Sequence, residues 1–189
     1  MADRPPAAAH GDRTPPLPAP PVRLATPADV DELVRLRAVM MAAVGVPYDQ
    51  VGSRAGWRAN YAAALHEDMA SDMSAAFVAD EPAAPHAAAG PGGHLVACGV
   101  VTRWRSIPGP GTPNGWRGYI ASMVTEPAWQ GRGLARAVLG ELMAWCRERG
   151  ISRMALHASP DGAALYRSVG FTDDLRFPEM EWRAPASGP

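Results

Sequence analysis

The chain has 189 residues, 47% of them hydrophobic, and a formal net charge of -1 at pH 7, which is enough for one compact core and excludes a large multidomain machine. All 18 basic residues are arginines, so Schiff-base and pyridoxal chemistry and the phosphate-loop lysine are excluded. No run of basic residues occurs, and neither nucleic acid nor an anionic membrane is an expected partner.

Residues 1–21 contain seven prolines, several alanines and few large apolar groups. Such a composition cannot offset the entropy of folding and predicts a disordered tail. One domain is expected over 22–184, with a short tail over 185–189. The run Val22-Arg23-Leu24-Ala25-Thr26 alternates like a strand. Thr26 then offers an N-cap and Pro27 a first helical position, opening a helix over 29–41 with Val30, Leu33, Val34, Leu36 and Met40 inward. After Gly45 and Pro47 break the pattern, Trp57, Tyr61, Ala64 and Leu65 suggest a second helix ending near Met69.

Strands are expected over 75–79 and 94–102, separated by an Ala/Pro/Gly loop, and over 118–124 after another Pro/Gly segment. A helix over 133–149, a strand over 153–157, a helix over 162–169 and two short strands, near Phe171 and over 179–182, complete the order. Strand-helix-strand units in the second half imply a mixed α/β sheet, partly parallel, with helices on its faces.

Cys98 and Cys146 form no C-x-x-C pair and read as free core thiols. His66-Glu67-Asp68-Met69-Ala70 lacks the second histidine of a zinc helix, and no metal site is expected. There is no G-x-S-x-G elbow. No apolar stretch approaches the roughly 18 residues that cross a bilayer, and no hydrophobic leader core is found; a cytoplasmic protein is the expectation.

The chemistry concentrates after the strand Gly118-Tyr119-Ile120-Ala121-Ser122-Met123-Val124. The chain turns at Thr125-Glu126-Pro127-Ala128-Trp129 and continues as Gln130-Gly131-Arg132-Gly133-Leu134-Ala135 into a strongly amphipathic helix. Small residues at 131, 133 and 135 let a ligand approach the backbone. The helix start adds unpaired N–H donors and a partial positive charge, so the segment reads as an anion cradle. A dinucleotide fold would require a third glycine where Arg136 stands.

These residues resemble the GNAT superfamily of acetyl-coenzyme A dependent N-acetyltransferases over about 22–182. The signature Q/R-x-x-G-x-G/A stands as Gln130-Gly131-Arg132-Gly133-Leu134-Ala135. A second block, N-x-x-A-x-x-L-Y-x-x-x-G-F in the family, stands as 159–171, with Ser159 for Asn and Gly162 for Ala but Leu165-Tyr166 and Gly170-Phe171 intact. The resemblance implies a mixed sheet of six to seven strands flanked by about four helices, with two parallel strands splayed at the cofactor. It also implies acetyl-coenzyme A as co-substrate and a small-molecule amine as acceptor.

By the same resemblance, the amides around Arg132, Gly133, Leu134 and Ala135 hold the diphosphate, with Gln130 and Gly131 in the turn. Ser122, Met123 and Val124 pair with the pantetheine arm, which Ser159 also touches. The Val124 N–H donates to the acetyl oxygen of a tetrahedral intermediate, and Tyr166 protonates the departing thiolate. Glu126, His157 or a water chain takes the amine proton; histidine is the side chain that changes charge near neutrality. Tyr119 and Ser122 are candidate acceptor contacts, together with 44–57 and the last strands. Three alternatives stay open: another acyl-coenzyme A, an acyl-carrier-protein thioester, and a non-catalytic acyl-coenzyme A sensor. A homodimer through the last strands is a further expectation.

Overall fold

A computed structural model describes residues 19–45, 56–82, 91–173 and Trp182. Its elements, in chain order, are β1 (Val22–Leu24), α1 (Val30–Ala43), α2 (Trp57–Ala70), β2 (Ser74–Asp80), β3 (Leu95–Arg105), β4 (Trp116–Thr125), α3 (Leu134–Glu148), β5 (Met154–Leu156) and α4 (Ala163–Arg167). Most expected elements are present with ends shifted by a few residues. Among the described residues the sheet has five strands in the order β1-β2-β3-β4-β5, antiparallel except for the parallel pair β4-β5.

The architecture is helix layer, sheet, helix layer, because β2 and β3 bury both faces. One core joins Leu33, Leu36 and Leu65 of the first two helices to Ala76, Val78, Cys98 and Val100. The other joins Leu134, Val138, Leu139, Leu142 and Cys146 of α3 to Phe77, Val101 and Ile120. The two-residue period of a strand sends alternate side chains to opposite helices. Gly99 admits α3 closely: a Cβ there would lie 2.6 Å from Met123 Sδ and Val138 Cγ1.

The start of α1 is pinned by a buried carboxylate. Asp29 accepts the Thr26 N–H at 2.7 Å and the Gly92 N–H at 3.0 Å, and pairs with Arg23, which also reaches Asp80. β1, the first helix and the entry to β3 are thereby tied together.

Two expectations change at the end of the chain. Phe171 is not in a strand; its N–H donates to Tyr166 O at 3.1 Å and its ring meets the Tyr166 ring edge-on at 6.0 Å. The short span of α4 is thus followed by a turn packed back onto it. The strand expected over 179–182 lies outside the described residues apart from Trp182, which is exposed.

Candidate active site

The site originates in an irregularity of β4. Its register with β3 shifts between Val100 and Val101, which oppose Ser122 and Ile120, so Ala121 is an extra residue bulged out of the ladder. A bulge reverses which face the following side chains occupy and bends the strand. Ile120 accordingly packs toward α3, whereas Ser122, two residues on, faces α1. At the same point β5 departs: its pairing ends at Ile120 with Leu156, while β4 runs on to Thr125. The two parallel strands therefore splay beyond Ile120.

The backbone groups exposed by that splay follow from the ladder. The Glu126 N–H donates to Val96 O at 2.9 Å. Antiparallel pairs alternate between bonded and non-bonded, so Val124, opposite Cys98, belongs to a bonded pair and its N–H points to β3. Met123 and Thr125, opposite Gly99 and Ala97, are in non-bonded pairs and turn their amides to the open edge. This corrects the expectation for Val124: the amides available in the gap are those of Met123 and Thr125. The Ala121 bulge shifts the alternation by one residue.

The open edge leads into the cradle. Gly131 and Gly133 have φ of 74° and 82°, the left-handed region that favours glycine, and a Cβ on either would meet nothing within 4 Å. Among the described residues, the amides of 131–136 have no protein acceptor, the first bond of α3 running from Ala137 N to Gly133 O. Six N–H donors thus cluster at the electropositive start of a 15-residue helix. Gln130 spans the turn, its Nε2 donating to Thr125 O at 3.2 Å. The Arg132 guanidinium lies over the Trp129 ring, 4.4 Å from its centre. Arg136 connects the helix to α4 through a 2.7 Å bond to Ser168 Oγ.

On α4, the Tyr166 ring is buried and burial raises the phenol above its ordinary value. The two departures from the family pattern meet beneath it. Ser159 Oγ accepts the Gly162 N–H at 3.2 Å, just ahead of the short helix. A Cβ on Gly162 would press within 3.2 Å of both Ser159 Oγ and Tyr166 Cε2. Glycine there accommodates the tyrosine ring.

The face toward the first two helices carries the remaining candidates. The Tyr119 hydroxyl and His157 Nδ1 are 2.5 Å apart, with their rings edge-on. Ser122 Oγ accepts from Arg37 Nη1 at 2.7 Å, and the Arg37 guanidinium covers the Tyr61 ring at 4.6 Å. Nothing in the local sequence singles out Arg37, which reaches this site from 85 residues away. Glu126 is placed differently: it pairs with Arg35 at 2.5 Å and lies 3.4 Å from His94 Nε2, at the far end of β4 from Tyr119. Its carboxylate is occupied in tying α1 to the strand end. Of the segment 44–57 expected to build the acceptor pocket, 46–55 lie outside the described residues.

Burial pushes the Cys98 thiol up to about 12 and the Cys146 thiol up to about 11, so both are protonated core groups at neutral pH. Among the described residues, no group of three or more His, Cys, Asp or Glu is placed to hold a metal, and no helix is long and apolar enough to cross a membrane.

The fold and parts of the sequence have parallels among known proteins. A protein of Clostridium acetobutylicum, described as a predicted acetyltransferase with acetyl-CoA, superimposes with a TM-score of 0.70 at 23% identity, over 85% of this chain and 94% of that one. In sequence, the chain is 34% identical over 103 residues to the N-alpha-acetyltransferase RimI of Mycobacterium tuberculosis, covering 50% of this chain and 65% of that protein. It is 46% identical over 55 residues to the chloroplastic serotonin N-acetyltransferase 2 of Oryza sativa subsp. japonica, covering 29% and 28%. The chain thus spans less than two thirds of these curated relatives. The acetyltransferase (GNAT) family profile matches residues 54–171, a stretch from the start of the second helix through the cradle to Phe171, and with that match the chain belongs to the GNAT acetyltransferase family.

Proposed function

We propose that this chain transfers an acetyl group from acetyl-coenzyme A to the primary amine of a small molecule, by direct attack and without an acyl-enzyme. One observation carries the reading: the β4 edge vacated by β5 after Ile120 runs into the unbonded amides of 131–136. Diphosphate suits those amides and the helix charge behind them, and a chain of amide groups suits the open edge at Thr125 and Met123. When bound, acetyl-coenzyme A supplies an acetyl thioester, an acyl group activated toward amines.

Amides 131–136 would hold the diphosphate, and the open edge at Met123, where the strands separate, would receive the acyl end. The Met123 N–H then replaces Val124 as the donor to the acetyl oxygen as it gains charge. His157, held by Tyr119, accepts the proton of the amine whose nitrogen bonds to the acyl carbon. Tyr166 donates its proton to the sulfur as the carbon–sulfur bond breaks and recovers one from solvent. Its raised pKa keeps the phenol protonated at neutral pH. Cys98 and Cys146 are buried, protonated thiols, which agrees with direct transfer rather than an acyl-cysteine.

The test is thiol release from acetyl-coenzyme A across a panel of primary amines, with product masses increased by one acetyl group. Stabilisation by acetyl-coenzyme A together with amine-dependent thiol release is expected. Binding with no release for any amine would support a sensor instead.

A further inference from the structure

Among the described residues, the face that carries Tyr119 holds a positive charge that no carboxylate answers. Seven arginines are partly buried among the described residues: Arg23, Arg35, Arg37, Arg103, Arg117, Arg132 and Arg149. Four of them pair with acids, Arg23 with Asp29 and Asp80, Arg35 with Glu32 and Glu126, and Arg103 and Arg149 both with Asp72. Arg132 has no such partner and flanks the cradle. Of the other two, Arg37 reaches Ser122 on β4 and Arg117 stands two residues before Tyr119 on the same strand.

Arg37 is committed to Ser122 and Tyr61; Arg117 is not. It precedes Tyr119 by two residues on β4, so both side chains leave the same face of the sheet. Its neighbour Gly118 points the other way, where a Cβ would meet Met154 and Cys146. The Arg117 Nε is buried and has no hydrogen-bond partner, and such an orphan donor is costly unless something else accepts from it. Trp104, opposite Arg117 on β3, is 38% exposed, and Ala155, opposite Tyr119 on β5, is also exposed, so this part of the face is open. Asp68 reaches the row only through Ser74, which bonds Thr102 at 2.9 Å.

We propose that the acceptor amine belongs to a molecule carrying an anionic group, a carboxylate or a phosphate, and that Arg117 binds that group while the amine lies at Tyr119 and His157. The inference rests on the acetyltransferase reading and names its acceptor class. A guanidinium offers paired donors matched to either oxyanion. Burial of one of its nitrogens keeps the charge from being fully screened.

Matched acceptors test it: amino acids against their amides, and aminoalkyl phosphates against the corresponding amino alcohols, with the two series separating carboxylate from phosphate. The wild-type protein should favour the anionic member of at least one series by about tenfold or more in kcat/KM, the scale of a charge-assisted hydrogen bond, expressed in KM. Arg117→Gln should erase the preference, so that the two members of each pair are used within about twofold of one another, and Arg117→Lys should keep part of it, because the charge remains. Titration calorimetry of the same acceptors in the presence of coenzyme A should show the same order without turnover. Equal or better use of the neutral members by wild-type protein, or a preference that survives Arg117→Gln, overturns the assignment even if that variant is less stable. Turnover of amines without an anionic preference overturns this inference alone, whereas failure to bind acetyl-coenzyme A overturns the acetyltransferase reading with it.

Discussion

The Tyr119 hydroxyl lies 2.5 Å from His157 Nδ1, bridging β4 and β5 where the two strands cease to pair. A hydrogen bond at one ring nitrogen fixes the orientation of the imidazole. Replacing His157 with Gln should lower kcat about a hundredfold, the lower end of what a positioned base contributes, with little change in KM for acetyl-coenzyme A. Tyr119→Phe should lower kcat less, since the imidazole stays but loses its anchor. Steady-state thiol release measures both, and an unchanged kcat in His157→Gln would mean that the proton leaves by another route.

Tyr166 supports a separate prediction. Phe retains the buried ring and the edge-on contact with Phe171 but removes the proton. Tyr166→Phe should therefore preserve the melting temperature and acetyl-coenzyme A affinity while reducing kcat by about 10²-fold or more. Because burial raises the phenol, no loss of rate from its ionisation should appear below about pH 10, the ordinary tyrosine value. A pH–rate profile at saturating substrate checks this.

Two glycines should respond differently to Ala. Gly133→Ala meets open space but must hold a φ of 82°, at about 1–2 kcal/mol, and it deforms the cradle. Gly99→Ala would drive a Cβ to 2.6 Å from Met123 and Val138, an overpacking cost of about 1–3 kcal/mol. Thermal denaturation should show both losses. Calorimetry should show the larger loss of acetyl-coenzyme A affinity per unit of lost stability in Gly133→Ala.

Asp29 is the fourth case. Burial alone would raise its carboxyl, yet Arg23 and the N–H groups of Thr26 and Gly92 outweigh burial and hold it far below the usual carboxylate range. A pKa lower in the folded than in the unfolded chain gives stability that is complete above the unfolded value, about 4, and is lost as pH falls through the folded value. Asp29→Asn should cost about 2 kcal/mol at pH 7, less than a fully buried pair because Arg23 keeps Asp80. Urea titrations at pH 7 and pH 3 should show the gap between wild type and variant narrowing at the lower pH.

The sequence was informative where function depends on local chemistry. Glycines at 131 and 133 followed by an amphipathic helix identify the cradle because the need for positive φ and the helix period are both local. The bulge at Ala121 has no such mark: no glycine or proline accompanies it, and it arises from how β4 pairs with β3. The family resemblance implied Val124 as the donor, whereas the pairing of β4 with β3 turns the Met123 amide outward. Long-range partners were equally hidden. Glu126 directly follows the active strand in sequence, but Arg35, 91 residues earlier, holds its carboxylate, and no local feature marks Arg37 as a neighbour of Ser122.

Residue-resolved amide hydrogen exchange with and without acetyl-coenzyme A tests the central claim most directly. The account predicts new protection at Met123, Thr125 and the amides of 131–136, with Val124 already protected in the free protein and unchanged on binding. Saturating acetyl-coenzyme A that leaves Met123, Thr125 and the 131–136 amides as exposed as before would contradict it.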